Sequence, residues 1–280
     1  MTSLLLCLVT AAQVRTQGAD STVRPNRPEW FHGLITSLPR RIVVDPGHPE
    51  YELFIYEDRD PNSAGFGTKL CWMRLPRSST TLQVSDVRRS GPSSAIYESL
   101  EQERDLVVTN GGFFGYGNKN DYLPEGLVIA NGKVTSPIKK WSSGGVVARI
   151  HDASRVLSLK AFDGPAGVAH AIQSKPMLVQ GGKIAIKSDS KSPFNRTAVA
   201  VDKNGDVIIA GAFDDDGDAV TLIEFSQFLA MPRSKGGPDA MDALNLDGST
   251  DAHFYLPKIR MHLGYGGQNY VPNAIHFSLK

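Results

Sequence analysis

At 280 residues, 41% of them hydrophobic, the chain can bury a core of its own as one large domain or two small ones. Its charges nearly cancel, 30 Lys and Arg against 29 Asp and Glu, which argues against a nucleic-acid partner and makes any hold on an anion a local matter. Cys7 and Cys71 are the only cysteines, so a cysteine-based zinc site is excluded.

In chain order, the apolar run Leu4 to Val9 followed by Thr10-Ala11-Ala12 reads as the end of a secretory signal peptide over residues 1–12, cleaved after Ala11 or Ala12. That implies a secreted or periplasmic protein. Met1-Thr2-Ser3 carries no basic residue, and an uncleaved N-terminal strand is the alternative. No later run approaches the roughly 18 apolar residues of a membrane span. Residues 13–29 are polar and contain Pro25 and Pro28, which predicts a linker; residues 30–280 then form a single domain.

From Trp30 to Val87 several runs read as strands. Arg41–Val44, Tyr51–Tyr56 and Thr81–Val84 have the β-branched and aromatic content of strands, and Cys71 in Leu70-Cys71-Trp72 reads as a packed strand residue. A helix is expected from Pro92-Ser93-Ser94, with Ser as cap and Ile96 and Leu100 on one face. A second covers Thr221 to Leu229, where Leu222, Phe225 and Leu229 recur at spacings of three and four. Between Thr197–Val201 and Val207–Ala210, the Asn204-Gly205 pair predicts a β-hairpin, and Asn131-Gly132 makes a similar turn. The expected class is α+β, with mixed, strand-rich sheets and a few packed helices.

One arrangement occurs twice. Each helix leads to an apolar strand, Leu106–Thr109 or Ala243–Leu246, that ends on a polar residue and glycine: Asn110-Gly111-Gly112 and Asp247-Gly248-Ser249. Strand tips of this kind commonly hold ligands in open α/β sheets, which predicts a shared pocket.

Four segments, in this order and separation, carry a resemblance: Asn110-Gly111-Gly112-Phe113-Phe114; Gln173-Ser174-Lys175-Pro176 with Gly181-Gly182-Lys183 behind it; Asn195-Arg196-Thr197-Ala198; and Ala243-Leu244-Asn245-Leu246-Asp247-Gly248-Ser249-Thr250. Together with the closing Tyr270-Val271-Pro272-Asn273-Ala274-Ile275, they resemble the phosphodiester glycosidase family over roughly residues 105 to 280. Where that family commonly has Asp-Gly-Gly, this chain has Asp247-Gly248-Ser249. The resemblance implies a hydrolase that cuts between a sugar's anomeric carbon and a phosphate, with a carbohydrate phosphodiester as substrate.

The chemistry of that reaction suggests roles. Positive charge develops on the sugar ring and negative charge on the departing phosphate, so the site needs a carboxylate near C1 and cationic or N–H donors around the phosphate. Asp247 is the first candidate, as nucleophile or as base toward water, although an Asp in this position also serves as an acceptor for turn N–H groups. Arg196 is the candidate phosphate clamp, with an ion pair to Asp202 as the structural alternative. Glu125 is a candidate second carboxylate. Gly111 and Gly112 can present consecutive N–H groups to an anion, and Asn110, Gln173, Ser174, Gly248 and Ser249 complete the expected substrate contacts.

Asp214-Asp215-Asp216-Gly217-Asp218 lacks the glutamate of an EF-hand loop and reads as an acidic turn capping the second helix. The histidines show no H-x-x-x-H or triad-like grouping, and no Walker loop or dinucleotide fingerprint is present, so the expectation is an enzyme without metal or cofactor. The competing readings are a non-catalytic polysaccharide-binding protein and a phosphodiesterase or transferase acting on cell-surface polymer.

Overall fold

The computed structural model describes residues 27–63, 65–116, 122–188, 191–265 and 267–280; the expected signal peptide and most of the expected linker lie outside them. Every strand pairing is antiparallel. An eight-stranded sheet runs in the order Arg40–Asp45, His48–Glu57, Lys69–Leu75, Val207–Phe213, Arg196–Val201, Asp242–Asn245, Met177–Gln180, Lys183–Ile184. A second, of five strands, has Val168–Ser174 at its centre, flanked by Gly145–Ile150 and Val128–Ala130. A third, also of five, has Asp105–Asn110 at its centre, between His253–Leu256 and Gln268–Leu279.

The main core lies where the three sheets face one another. Leu53, Ile55 and Met73 of the first meet Val128, Val147 and Ile172 of the second and Val107, Ile275 and Phe277 of the third. Each such side chain contributes about 2 kcal/mol by leaving water. The far face of the eight-stranded sheet is lined by Ala198, Ala200, Ala210 and Ala212, small enough for helices to approach. Phe225, Phe228 and Leu229 of α3 (Leu222–Ala230) and Phe31 and Leu34 of α1 (Arg27–Thr36) fill the space. α2 (Ser93–Leu100) covers the outer face of the third sheet with Ile96 and Tyr97.

The strands, both Asn-Gly hairpins, α2 and α3 stand where the patterning predicts them. Both residues of the Asn131-Gly132 turn have positive φ, 51° and 76°, as a two-residue hairpin turn requires. α1, which the patterning does not predict, buries Phe31 and Leu34 and packs Trp30 and Ile35 partly against the same core. Two local expectations fail. Ser93 does not cap α2; its hydroxyl donates to the Tyr265 carbonyl at 2.8 Å, and Pro92 precedes the helix without a side-chain cap. The acidic turn does not cap α3 either. Thr221 does so in a reciprocal box with Glu224, whose carboxylate also pairs with Arg27 at 2.7 Å. Asp214 instead accepts from the Thr68 hydroxyl at 2.8 Å and from the Asp216 N–H. Cys71 is fully buried on its strand, and burial pushes its thiol pKa up.

Candidate active site

Asn110 and Asp247 end strands of two different sheets, and the backbone joins them directly: the Asp247 N–H donates to the Gly111 carbonyl at 3.0 Å. The Asn110 amide clamps the junction. Its nitrogen donates to the Asp247 carbonyl at 2.9 Å, and its oxygen accepts from the Thr197 hydroxyl at 2.9 Å and the His253 N–H at 3.2 Å. Thr197 also reaches the Asp247 carbonyl, and the Ser249 N–H donates to the Asn195 carbonyl at 2.9 Å. Three sequence-distant segments are thereby tied into one rim. Asn110 is consumed by this work, so its amide orients the Asp247 loop.

The Asp247 carboxyl accepts the Gly248 N–H at 2.9 Å. It lines a narrow recess with Asp251, Asn110, Gly111, Phe114 and Asn273. Burial, and after it the charge of Asp251, raise its pKa; the Gly248 N–H lowers it and Glu125 raises it further, leaving it at about 7. Burial alone lifts Asp251 to about 6. Near neutrality both carboxyl groups therefore hold protons that exposed carboxyls would have lost, chiefly because burial disfavours the charged form and, for Asp247, secondarily because of the Asp251 charge. Tyr97, buried behind them and stacked on His253 at 4.7 Å, feels burial and both carboxylates as an upward shift.

Arg196 is 8% exposed and its guanidinium is held by the Val220 carbonyl at 3.3 Å and the Ser192 carbonyl at 3.3 Å. Its Nη1 comes within 3.9 Å of where a β-carbon on Gly248 would stand, beside the Asp247 loop. Asp202 pairs with Arg74, not with Arg196. Glu125 follows the Phe113 carbonyl, to which its N–H donates at 2.7 Å, and its carboxylate lies 3.5 Å from the Lys139 ammonium.

Other expected contacts take different parts. The Gly111 and Gly112 N–H groups do not face a ligand: they donate to the Asn273 carbonyl at 3.1 Å and side-chain oxygen at 2.9 Å. The two glycines serve close packing, since a β-carbon on Gly111 would lie 1.7 Å from Asn273 Oδ1 and one on Gly112 2.4 Å from the Gln173 carbonyl. Both ends of the Gln173 amide are bound to backbone, accepting from the Leu127 and Lys139 N–H groups at 2.9 Å each and donating to the Lys139 carbonyl at 2.5 Å. It holds the Lys139 segment in place. Ser174 is fully buried, and its hydroxyl has no partner among the described residues. Gly248 has room for no side chain, with a β-carbon meeting the Asn195 carbonyl at 2.8 Å, and Ser249 is exposed with φ 59°.

Three site residues escaped the sequence reading. Asp251 stands one 3-10 turn beyond Asp247, a proximity that a run of small polar residues does not advertise. Asn273, in the quoted closing segment, is 1% exposed, lines the recess, and has an amide nitrogen without a partner among the described residues. Lys175 sets its ammonium 5.6 Å from the centre of Phe113 and 4.7 Å from that of Trp141.

A triad-like grouping also exists, contrary to expectation. The His276 ring lies 2.8 Å from the Asp105 carboxylate and 2.9 Å from the Ser85 hydroxyl. Its members come from three adjacent strands, which is why spacing along the chain hid it. Asp105 and His276 are fully buried, and their hydrogen bonds tie three neighbouring strands together, so the cluster braces the sheet. A second chain runs from His253 to His262 at 3.0 Å and on to Glu98 at 3.2 Å.

Residues 104–278 match the sequence model of a family described as phosphodiester glycosidase. Among solved structures, the chain is similar to the catalytic domain of zebrafish N-acetylglucosamine-1-phosphodiester alpha-N-acetylglucosaminidase, auto-inhibited by its pro-peptide. The TM-score is 0.57 at 18% identity, over 86% of this chain and 88% of that one. A hypothetical protein from Synechocystis is similar with a TM-score of 0.52 at 15% identity, over 82% of this chain and 62% of that one. At these identities the likeness is one of fold. No curated protein sequence matches the chain.

Proposed function

The chain belongs to the phosphodiester glycosidase family, and from that premise we propose that it hydrolyses the bond between the anomeric carbon and the phosphate of a sugar-1-phosphodiester on an exported carbohydrate. The observation that carries this reading is Asp247: a carboxyl group fixed where two strand tips join, facing a recess, with its pKa raised to about 7. A carboxylate of that basicity attacks C1 or draws the proton from the water that does so. Phosphate is a good leaving group, so the reaction needs little help from a general acid, and the second carboxyl groups, Asp251 and Glu125, act mainly by tuning Asp247. The Asn273 amide nitrogen, enclosed at the recess wall without a partner among the described residues, is a donor that a small shift of the wall would present to a sugar hydroxyl. Phe114 and Tyr270, which line the same recess, supply an apolar wall for the ring face. Arg196 and Lys175 supply cations for the departing phosphate. The apolar run at residues 4–9 supports export.

The test is to incubate purified protein with a panel of sugar-1-phosphodiesters in 18O-labelled water. Free sugar carrying the label at C1 and an unlabelled phosphate monoester are expected. Label in the phosphate would mean P–O cleavage and a phosphodiesterase, and no turnover on any diester, with binding retained, would favour the polysaccharide-binding reading.

A further inference from the structure

Trp141 lines a groove of about 660 Å³, within the roughly 300–1,000 Å³ range of ligand clefts. Among the described residues its charged lining consists of Lys160 and Lys187, both exposed. Ser142, Ser143 and Gln180 add hydroxyl and amide groups, and Trp141 forms one end. Leu159, Met177, Ile186 and Leu222 add apolar surface; with charges of one sign among the described lining residues, hydroxyls, an amide and an indole, the groove matches a chain of sugars or polyols bearing anionic groups. Lysines take the anions, the polar side chains take hydroxyls, and the indole takes a ring face.

The groove shares a wall with the candidate active site. The Trp141 indole is wedged between Gly126 and Gly144, with ring atoms 3.1 Å from the β-carbon position of each. Gly126 directly follows Glu125, Gly144 lines the groove, and the Lys175 ammonium lies 4.7 Å from the indole centre. The groove's Met177 pairs with Leu244 on the strand that delivers Asp247. Contacts thus link Glu125 and Lys139, through Gly126, Trp141 and Lys175, to the lysine-lined groove. Resting on the proposed function, we infer that this groove binds the part of the substrate beyond the scissile phosphate, and that this part is an anionic oligomer or polymer with repeating phosphate or carboxylate groups. The sugar removed would sit over the mouth of the Asp247 recess, whose own volume of about 10 Å³ is that of a water molecule; the scissile phosphate would lie against the cations beside it, and the anionic chain in the groove.

The experiment pairs two substrates carrying the same sugar-1-phosphate, one on a methyl group and one on an oligo(glycerol phosphate). It compares wild type, the double variant Lys160→Glu/Lys187→Glu and, as a control for general surface charge, Lys235→Glu in a different cleft. The double variant should raise KM for the oligomer at least tenfold while leaving kcat, and both constants for the methyl diester, unchanged; Lys235→Glu should change neither. Equal effects on both substrates, or the same loss in the control, would overturn the assignment. Binding of the bare oligo(glycerol phosphate), followed by calorimetry, separates the two proposals. Binding lost in the double variant with no hydrolysis of either diester sinks the enzymatic reading alone. Hydrolysis of both diesters with no binding of the bare oligomer, or with a neutral dextran oligomer bound equally well, sinks the groove assignment alone.

Discussion

Two carboxyl groups, the fully buried Asp105 and the half-buried Asp247, stand near opposite ends of one strand's hydrogen-bonding neighbourhood, and their surroundings differ in kind. Asp105 accepts from the Gln102 N–H at 2.9 Å and the Ser278 hydroxyl at 2.6 Å, and lies against His276 at 2.8 Å, with no exposure to solvent. Asp247 accepts the Gly248 N–H, has Asp251 as a like-charged neighbour, and opens on a recess. A carboxylate whose lone pairs are filled by donors holds structure together; one left short of donors beside another acid is costly to ionise and ready to react. The comparison also separates the two triad-like and pair-like geometries: Ser85, His276 and Asp105 have the look of a catalytic set, but their hydrogen bonds tie three neighbouring strands together.

Replacing each acid sharpens that contrast. Asp247→Asn should lower kcat on a sugar-1-phosphodiester by about a thousandfold, in the range of a lost base or nucleophile. The same variant should be more stable at neutral pH. With the folded pKa at about 7 against a reference of 3.8, the native state keeps a proton the unfolded chain has lost, so stability falls as pH rises through that window. Removing the group should recover on the order of 2 kcal/mol at pH 8 and almost nothing at pH 3, read by urea unfolding. An inactive variant that is also destabilised at pH 8 would put Asp247 in the structural class with Asp105. For Asp105→Ala the pattern reverses: a loss of about 3 kcal/mol, because donors are orphaned in the interior, with kcat per folded molecule unchanged.

Two smaller effects refine the picture of the recess. If Asp247 works ionised, activity rises with pH through about 7, and Asp251→Asn should move that limb to lower pH, because it removes a like charge. An unmoved limb would show that the two carboxyl groups do not communicate. The smallest effect concerns Ser249. Its φ of 59° is a conformation glycine adopts without penalty, at the position where the family commonly carries glycine. Ser249→Gly should raise stability by about 1 kcal/mol and leave turnover unaltered, measured by thermal unfolding and by the diester assay.

Much of the chain's local order was legible from residue pattern. Alternating β-branched runs marked the strands, Asn204-Gly205 and Asn131-Gly132 marked hairpins, and Leu222, Phe225 and Leu229 marked α3, because these signals depend on neighbours within a few positions. α1 was not, since its inward-packed side chains, Trp30, Phe31, Leu34 and Ile35, fall within so short a stretch that no period stands out. At the site, Asp247, Asn110 and Arg196 stood out through the motifs that frame them. Lys175 and Asn273 lay within quoted segments without drawing attention, and Asp251 lay just beyond one. A lysine becomes notable only when Phe113 and Trp141 close around it, and an asparagine only when one of its two polar ends is left uncommitted.

By itself, then, the order of residues determined the strand-rich character, the turns and the two glycine-bearing strand tips, all of which arise from short-range backbone preference and hydrophobic period. Only the tertiary structure decided that those tips belong to separate antiparallel sheets bonded through Asp247 and Gly111. It decided as well that the Gly111 and Gly112 N–H groups turn to Asn273, and that one acid is satisfied while another is not. Burial, charge proximity and the pairing of donors with acceptors are properties of distance in space, and residues 110, 247 and 273 acquire them only when long-range packing brings their strands together.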